Sequence, residues 1–217
     1  VKSAIYMRFG TSRVNFNDMN SRPNPSQIPV FILAGGLGTR ISEESQFRPK
    51  PMIEIGGVPI LLHIMRSYYH YGFNDFVVCA GYRSWEIKQF FLTYGFRKTH
   101  VEIDHRTSTD APARSFGHHA EPEKWRVRVI DTGVDCMTGA RVARAFDTIR
   151  NENFDHFAVT YGDGVSDVPL DEERAAQRGT GALGTVLGVH PSARFGELTV
   201  DANLRVTDFA EKPQSRT

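Results

Sequence analysis

The feature that most constrains this chain is the run Val30-Phe31-Ile32-Leu33-Ala34, which breaks abruptly into Gly35-Gly36-Leu37-Gly38-Thr39-Arg40. A short, unbroken apolar run bounded by turn residues is how a strand covered on both faces looks, and such strands belong to parallel sheets packed between helices. The succeeding segments keep to that plan. From residue 59 to 71, Ile60, Leu61, Ile64, Met65, Tyr68 and Tyr69 recur at helical spacing, with Pro59 suited to a first helical position and Gly72 to the stop. A strand over 76–80, a helix over 84–94 with Ile87, Phe90 and Phe91 on one face, and a strand over 100–104 extend the alternation to β-α-β-α-β.

Beyond a polar stretch, Trp125, Val127, Val129 and Ile130 mark a strand, a helix over 138–150 turns Val142, Phe146 and Ile149 inward, and 157–161 is a further buried strand. Late strands over 182–190, 198–201 and 205–209 succeed one another without helices. The expected class is therefore α/β, a Rossmann-like mixed but mostly parallel sheet with helices on both faces and ligands at the carboxyl ends of its strands. Residues 1–28, rich in Asn, Ser and Arg and closing on Arg22-Pro23-Asn24-Pro25, are expected to be an appendage or linker, and 29–217 the folded domain.

Composition narrows the function. Lys plus Arg number 26 against 25 Asp plus Glu, so no global positive field recruits nucleic acid or an anionic membrane, and any anion must be held locally. No apolar run approaches the roughly 18 residues that span a bilayer. Cys79 and Cys136 form neither a CxxC pair nor a metal-ligand spacing, which fits a reducing cytoplasm better than a secreted disulfide scaffold or structural zinc. His118 and His119, adjacent in a polar stretch, read as solvated loop residues rather than metal ligands.

Three motifs carry chemistry. Gly35, Gly36 and Gly38, directly after a strand, let backbone N–H groups approach phosphate oxygens without Cβ interference. The loop is neither GxGxxG/A, since Ile41 stands where the last small residue belongs, nor GxxxxGK[ST]. Arg48-Pro49-Lys50-Pro51 then presents an ammonium from a backbone stiffened by two prolines. Asp163, between Gly162 and Gly164 at a strand end, is a carboxylate with room around it for a Mg²⁺ ion held mostly by water and phosphates. Thr132-Gly133 and Met137-Thr138-Gly139-Ala140-Arg141 sit at a strand end and a helix start, where Thr138 could cap and Gly139 could accept a flat base; Arg144 and Arg150 read as surface charges.

Leu33 through Arg40 together with Pro49-Lys50-Pro51 resemble the sugar-1-phosphate nucleotidyltransferases. The stretches Met52-Ile53-Glu54-Ile55-Gly56-Gly57, Asp131-Thr132-Gly133, Met137-Thr138-Gly139, Tyr161-Gly162-Asp163-Gly164, Arg194-Phe195-Gly196 and Glu211-Lys212-Pro213 are most similar to their glucose-1-phosphate cytidylyltransferase branch. The resemblance covers about residues 29–217 and implies the nucleotide-diphospho-sugar transferase fold with its C-terminal part missing. It also implies CTP and α-D-glucose 1-phosphate as partners, Mg²⁺ as cofactor and a homo-oligomer. By that resemblance Leu33, Gly35, Gly36, Gly38, Thr39, Arg40, Lys50, Gly81, Thr138, Gly139 and Arg141 meet the nucleotide; Arg40, Lys50, Asp163 and Lys212 are catalytic, with Asp163 the metal ligand. Arg141 is expected on cytosine O2, a ribose or phosphate oxygen, or else on the outer face of its helix. Arg48 stands where the branch usually has lysine. Two rival readings stay open: a nucleotide-sugar glycosyltransferase, although Tyr161 and Val165 leave Asp163 without a DxD partner, and a non-catalytic nucleotide-binding module.

Overall fold

The computed structural model describes residues 5–8, 24–36, 48–97, 99–104, 106, 114–116, 123–180, 182–188 and 195–211. Its main sheet is built from Ile5–Arg8 (β1), Val30–Ala34 (β2), Asp75–Ala80 (β3), Arg126–Asp131 (β4), His156–Tyr161 (β5) and Gly184–Val186 (β6), in the spatial order β6-β1-β5-β2-β3-β4. β2 runs parallel to β3 and β5, and β3 parallel to β4, whereas β1 lies antiparallel between β5 and β6. The chain leaves β2 to one side for β3 and β4, then crosses to the other side for β5. The carboxyl end of β2 is thus a topological switch point, where open α/β sheets hold their ligands.

Period-two alternation along the strands divides the core. Val30, Ile32, Ala34, Phe76, Val78, Ala80 and Ala158 face one side, where Ile60–His70 (α1) and Ser84–Leu92 (α2) supply Leu61, Ile64, Met65, Ile87 and Phe90. Phe31, Val77, Cys79, Phe157 and Val159 face the other, under Ala145 and Ile149 of Thr138–Ile149 (α3). Both faces of β2 and β3 are buried, which is why those strands read as continuous apolar runs. α1 stops as its sequence suggests: Gly72 takes φ +88°, Phe73 N–H donates back to the Tyr68 carbonyl, and the two rings pack edge to face at 5.4 Å.

The structure departs from the sequence expectation at four places. His100–Glu102 does not join the main sheet but pairs antiparallel with Arg114–Phe116, and β4 lies next to β3. Ile5–Arg8, inside the expected appendage, is a sheet strand. Leu170–Thr180 (α4) is a helix that the periodicity did not announce, and Glu197–Val200 with Val206–Ala210 forms a separate antiparallel ribbon.

Candidate functional site

Register brings the motifs to one rim. Ala34 is level with Ala80, Ala80 with Asp131 and Leu33 with Tyr161, so Gly35, Gly81, Thr132 and Gly162 all leave the sheet side by side. They border a cleft of about 470 Å³ whose walls include Leu33, Gly35, Gly36, Lys50, Pro51, Thr138, Arg141, Tyr161 and Asp163. Of the residues singled out from sequence, Leu33, Gly35, Gly36, Lys50, Thr138, Arg141 and Asp163 are therefore gathered at one cavity. Gly38, Thr39, Arg40, Lys212, His118 and His119 lie outside the described residues.

Lys50 opens a single 3₁₀ turn, Lys50–Met52, entered through Pro49 at φ −65° and ψ 142° and closed by the Met52 N–H on the Pro49 carbonyl at 2.8 Å. Pro51 and Met52 are buried, so the turn is anchored while the half-buried lysine borders the cleft. Gly162 packs under this turn. A Cβ there would sit 3.1 Å from Pro51 Cγ and 3.0 Å from the Leu33 carbonyl, and its N–H donates to that carbonyl at 2.9 Å. The glycine before Asp163 thus allows the Lys50 turn and the Asp163 carboxylate to share one cavity.

Asp163 is half-buried at the cleft, which Asp135 also borders. No group of three or more His, Cys, Asp or Glu side chains is assembled for a metal among the described residues. One or two carboxylates beside space for phosphate do not suit structural zinc, but they suit Mg²⁺, which keeps most of its water and shares the rest of its shell with a substrate.

Arg141 differs most from expectation. It borders the cleft and does not lie on an outer helix face; only 5% exposed, it spends its fork on protein oxygens. Nη1 donates to Thr132 Oγ1 at 2.8 Å and the Gly133 carbonyl at 2.6 Å, and Nη2 to the carbonyls of Gly35 and Val134, each at 2.8 Å. Thr132 Oγ1 in turn donates to the Ala80 carbonyl at 2.7 Å. One guanidinium therefore ties the ends of β2, β3 and β4 together. Gly81, expected beside the base, packs against the same guanidinium. A Cβ on it would lie 2.5 Å from Arg141 Nη1 and 2.7 Å from the Gly133 carbonyl, and one on Gly35 would fall on the guanidinium itself.

Other residues of the rim depart less. Thr138 does not cap its helix; Met137 holds the N-cap position without a side-chain bond. Gly139 has open space where a Cβ would be. Arg144, read as a surface charge, donates to the Thr132 carbonyl at 2.8 Å. The loop Val134, Asp135 and Cys136 completes the cleft wall and was not singled out; its one signal is Gly133, which takes φ +86° to start the turn. Asp131 at the rim accepts the Gly133 N–H and the Ser84 hydroxyl, which hold its carboxyl below the usual range.

A doubly covered sheet with glycines, a lysine and a carboxylate gathered at its switch point is an α/β fold with a candidate ligand site. Comparison with known proteins gives the class within it. The family described as Nucleotidyl transferase matches residues 29–217. The chain is 41% identical over 187 residues to glucose-1-phosphate cytidylyltransferase of Salmonella typhi, covering 86% of this chain and 70% of that protein. It is 39% identical over 188 residues to the probable glucose-1-phosphate cytidylyltransferase of Bacillus subtilis (strain 168), covering 87% and 70%. A solved UDP-glucose pyrophosphorylase in complex with UDP-glucose superposes with a TM-score of 0.51 at 15% identity, over 86% of this chain and 69% of that one, a likeness of fold. The chain belongs to the nucleotidyl transferase family.

Proposed function

We propose that this nucleotidyltransferase moves the cytidylyl group of CTP onto α-D-glucose 1-phosphate, giving CDP-glucose and pyrophosphate. The observation that carries the reading is the convergence of Gly35, Gly36, Lys50 and Asp163 on one cleft in a chain 41% identical to a glucose-1-phosphate cytidylyltransferase. A sugar 1-phosphate is already an anion at neutral pH, so its oxygen attacks the α-phosphorus without a general base while the bond to the pyrophosphate oxygen breaks. The obstacle is repulsion between anions, which cations and oriented N–H donors remove.

In this reading the glycine loop and Arg40 hold the β- and γ-phosphates. Lys50, fixed by its buried prolines, faces the α-phosphate and the departing oxygen, and Lys212 draws in the sugar phosphate. Asp163 would hold Mg²⁺, which when bound neutralises charge on the reacting phosphates. Substrates of this kind are cytoplasmic, and the reading carries the family's homo-oligomer with it.

The test is pyrophosphate release from CTP, UTP, dTTP and GTP, each with glucose 1-phosphate and mannose 1-phosphate, with phosphorus NMR of the product. CTP with glucose 1-phosphate is expected to exceed every other pair by at least about 10²-fold in kcat/KM, because a site that hydrogen-bonds one base or sugar leaves polar groups unpaired against another. Preference for another pair would replace the substrate assignment. Release of sugar from a nucleotide sugar with no pyrophosphate formed would favour the glycosyltransferase alternative.

A further inference from the structure

The loop from Gly133 to Met137 walls the cleft without an apolar anchor. Val134, Asp135, Cys136 and Met137 all border the cavity, yet Val134 is 43% and Met137 81% exposed, so polar bonds rather than burial fix the loop. On the α3 side the Gly133 and Val134 carbonyls are bonded to Arg141, and the Met137 carbonyl accepts the Arg141 N–H at 2.9 Å. On the α2 side the Gly133 turn hangs, among the described residues, on one carboxylate: Asp131 Oδ1 accepts the Gly133 N–H at 3.0 Å while Oδ2 accepts the Ser84 hydroxyl at 2.8 Å. The α2 end of this bridge is fixed in turn. Arg83, just before Ser84, takes φ +52°, a conformation uncommon outside glycine. The Ser84 N–H donates to the Gly81 carbonyl at 3.1 Å and the Tyr82 N–H to the Gly35 carbonyl at 3.3 Å, which ties the entry of α2 to the glycine loop.

We propose that Asp131 is the positioning residue of this wall: gripping Gly133 with one oxygen and Ser84 with the other, it sets where the 133–137 loop stands against the glycine loop. The inference rests on the nucleotide cleft proposed above. Asp131 does not line the cavity, so it acts through the wall and not on the ligand. Its two bonds are charge-assisted, the stronger kind, and a carboxylate beside the first turn of α2 also meets the positive end of the helix dipole. Lys88, one turn along α2, and Arg141 both favour its ionised form. A loop that is exposed on its apolar side and held by few polar bonds moves when one of them is cut, while the sheet behind it stays.

Two measurements on the full chain test this, amide hydrogen exchange and calorimetric titration with magnesium CTP, for wild type, Asp131→Ala, Asp131→Asn, Ser84→Ala and the Asp131→Ala/Ser84→Ala double variant. All are made at a temperature where melting shows each protein folded. Asp131→Ala is expected to speed exchange over 132–137 about 10-fold, with the strands β2 and β3 as protected as in wild type, and to weaken CTP about 10-fold, the scale of a lost charged hydrogen bond. Ser84→Ala cuts one arm of the bridge and is expected to weaken CTP about 3-fold. The double variant should be no worse than Asp131→Ala alone, since both changes break one bridge. Asp131→Asn keeps the geometry, accepting from Gly133 with Oδ1 and donating to Ser84 with Nδ2, and is expected within about 2-fold of wild type.

Unchanged exchange over 132–137 in Asp131→Ala, unchanged CTP affinity despite faster exchange, or exchange rising equally through the sheet would overturn the inference. So would an Asp131→Asn protein as impaired as Asp131→Ala, because the charge and not the bridge would then be what matters. A wild type that binds magnesium CTP with this Asp131 dependence yet forms no CDP-glucose would sink the substrate reading and support this one, whereas a wild type that binds no nucleoside triphosphate would end both.

Discussion

The two ends of the parallel sheet treat arginine in opposite ways. At the amino ends of β3 and β4, Asp75 receives Arg126 at 2.7 Å and Arg128 at 2.6 Å, and both arginines also reach Glu152, so two cations meet two anions. Asp75, at 8% exposure, is the most enclosed of the four, and the cluster ties β3 and β4 to the chain just beyond α3. At the carboxyl ends Arg141 is equally enclosed but, among the described residues, bonded only to neutral oxygens. A closed charge cluster has little field left for a ligand, and its value is in holding the protein's own elements together. An arginine satisfied by carbonyls is hydrogen-bonded and still a cation.

The contrast is broken most severely by exchanging the fates of two aspartates. Asp163→Ala at the cleft is expected to lower Mg²⁺-dependent turnover about 10³-fold or more, the scale of losing several kcal/mol of charge stabilisation, with the melting temperature unchanged. Turnover across a Mg²⁺ titration beside a thermal melt reads both. Near-normal turnover would remove Asp163 from the site.

Asp75→Ala at the other end is expected to do the reverse. It leaves Arg128, whose side chain is 18% exposed, with Glu152 as its one remaining carboxylate partner among the described residues, at a cost of about 2–3 kcal/mol, near the low end for broken buried pairs because Arg126 is 55% exposed. Denaturant unfolding measures this loss, and kcat for the folded fraction should stay at the wild-type value. A fall in kcat with stability intact would mean that the two ends are coupled through β3.

The same contrast explains what could be read from the sequence. Strands β2, β3 and β5 were legible because burial on both faces forces unbroken apolar runs, and α1 because its apolar stripe ends at a glycine. His100–Glu102 misled because any strand fits an alternation; its polar interruptions and the exposure of Val101 and Ile103 mark a ribbon rather than a sheet interior. Among the residues of α4 whose burial is described only Leu170 and Gln177 are buried, so there was little stripe to see. At the site, the spacing Gly35-Gly36 and the Lys-Pro turn pointed to the cleft directly. Arg141 is placed at the site by sequence, but its bond to the Gly35 carbonyl is not legible there, because a glycine that makes room for phosphate and one that makes room for an arginine 106 positions away look alike in sequence. Only the pairing of strand ends distinguishes them.

Glu173 offers the mildest test of the comparison, because it stands away from the cleft on α4. Neither carboxylate oxygen has a hydrogen-bond partner among the described residues, and the nearby Tyr68 hydroxyl is buried as well. Burial pushes the Glu173 carboxyl up from 4.5 to about 7. A carboxyl raised on folding holds a proton in the native state that the unfolded chain has already released, so stability falls as pH rises between those two values. Below that window both states are protonated and the residue costs nothing; above it both are ionised and the full penalty persists. Glu173→Gln should therefore melt with wild type at pH 4.5 and a few degrees higher at pH 8, the modest size reflecting a half-buried group. Turnover should be unaffected at both pH values, since this carboxyl acts on the fold and not on the substrate. Identical melting curves across the range would show that water reaches the carboxylate, and a change in kcat would make Glu173 an exception that links α4 to the cleft.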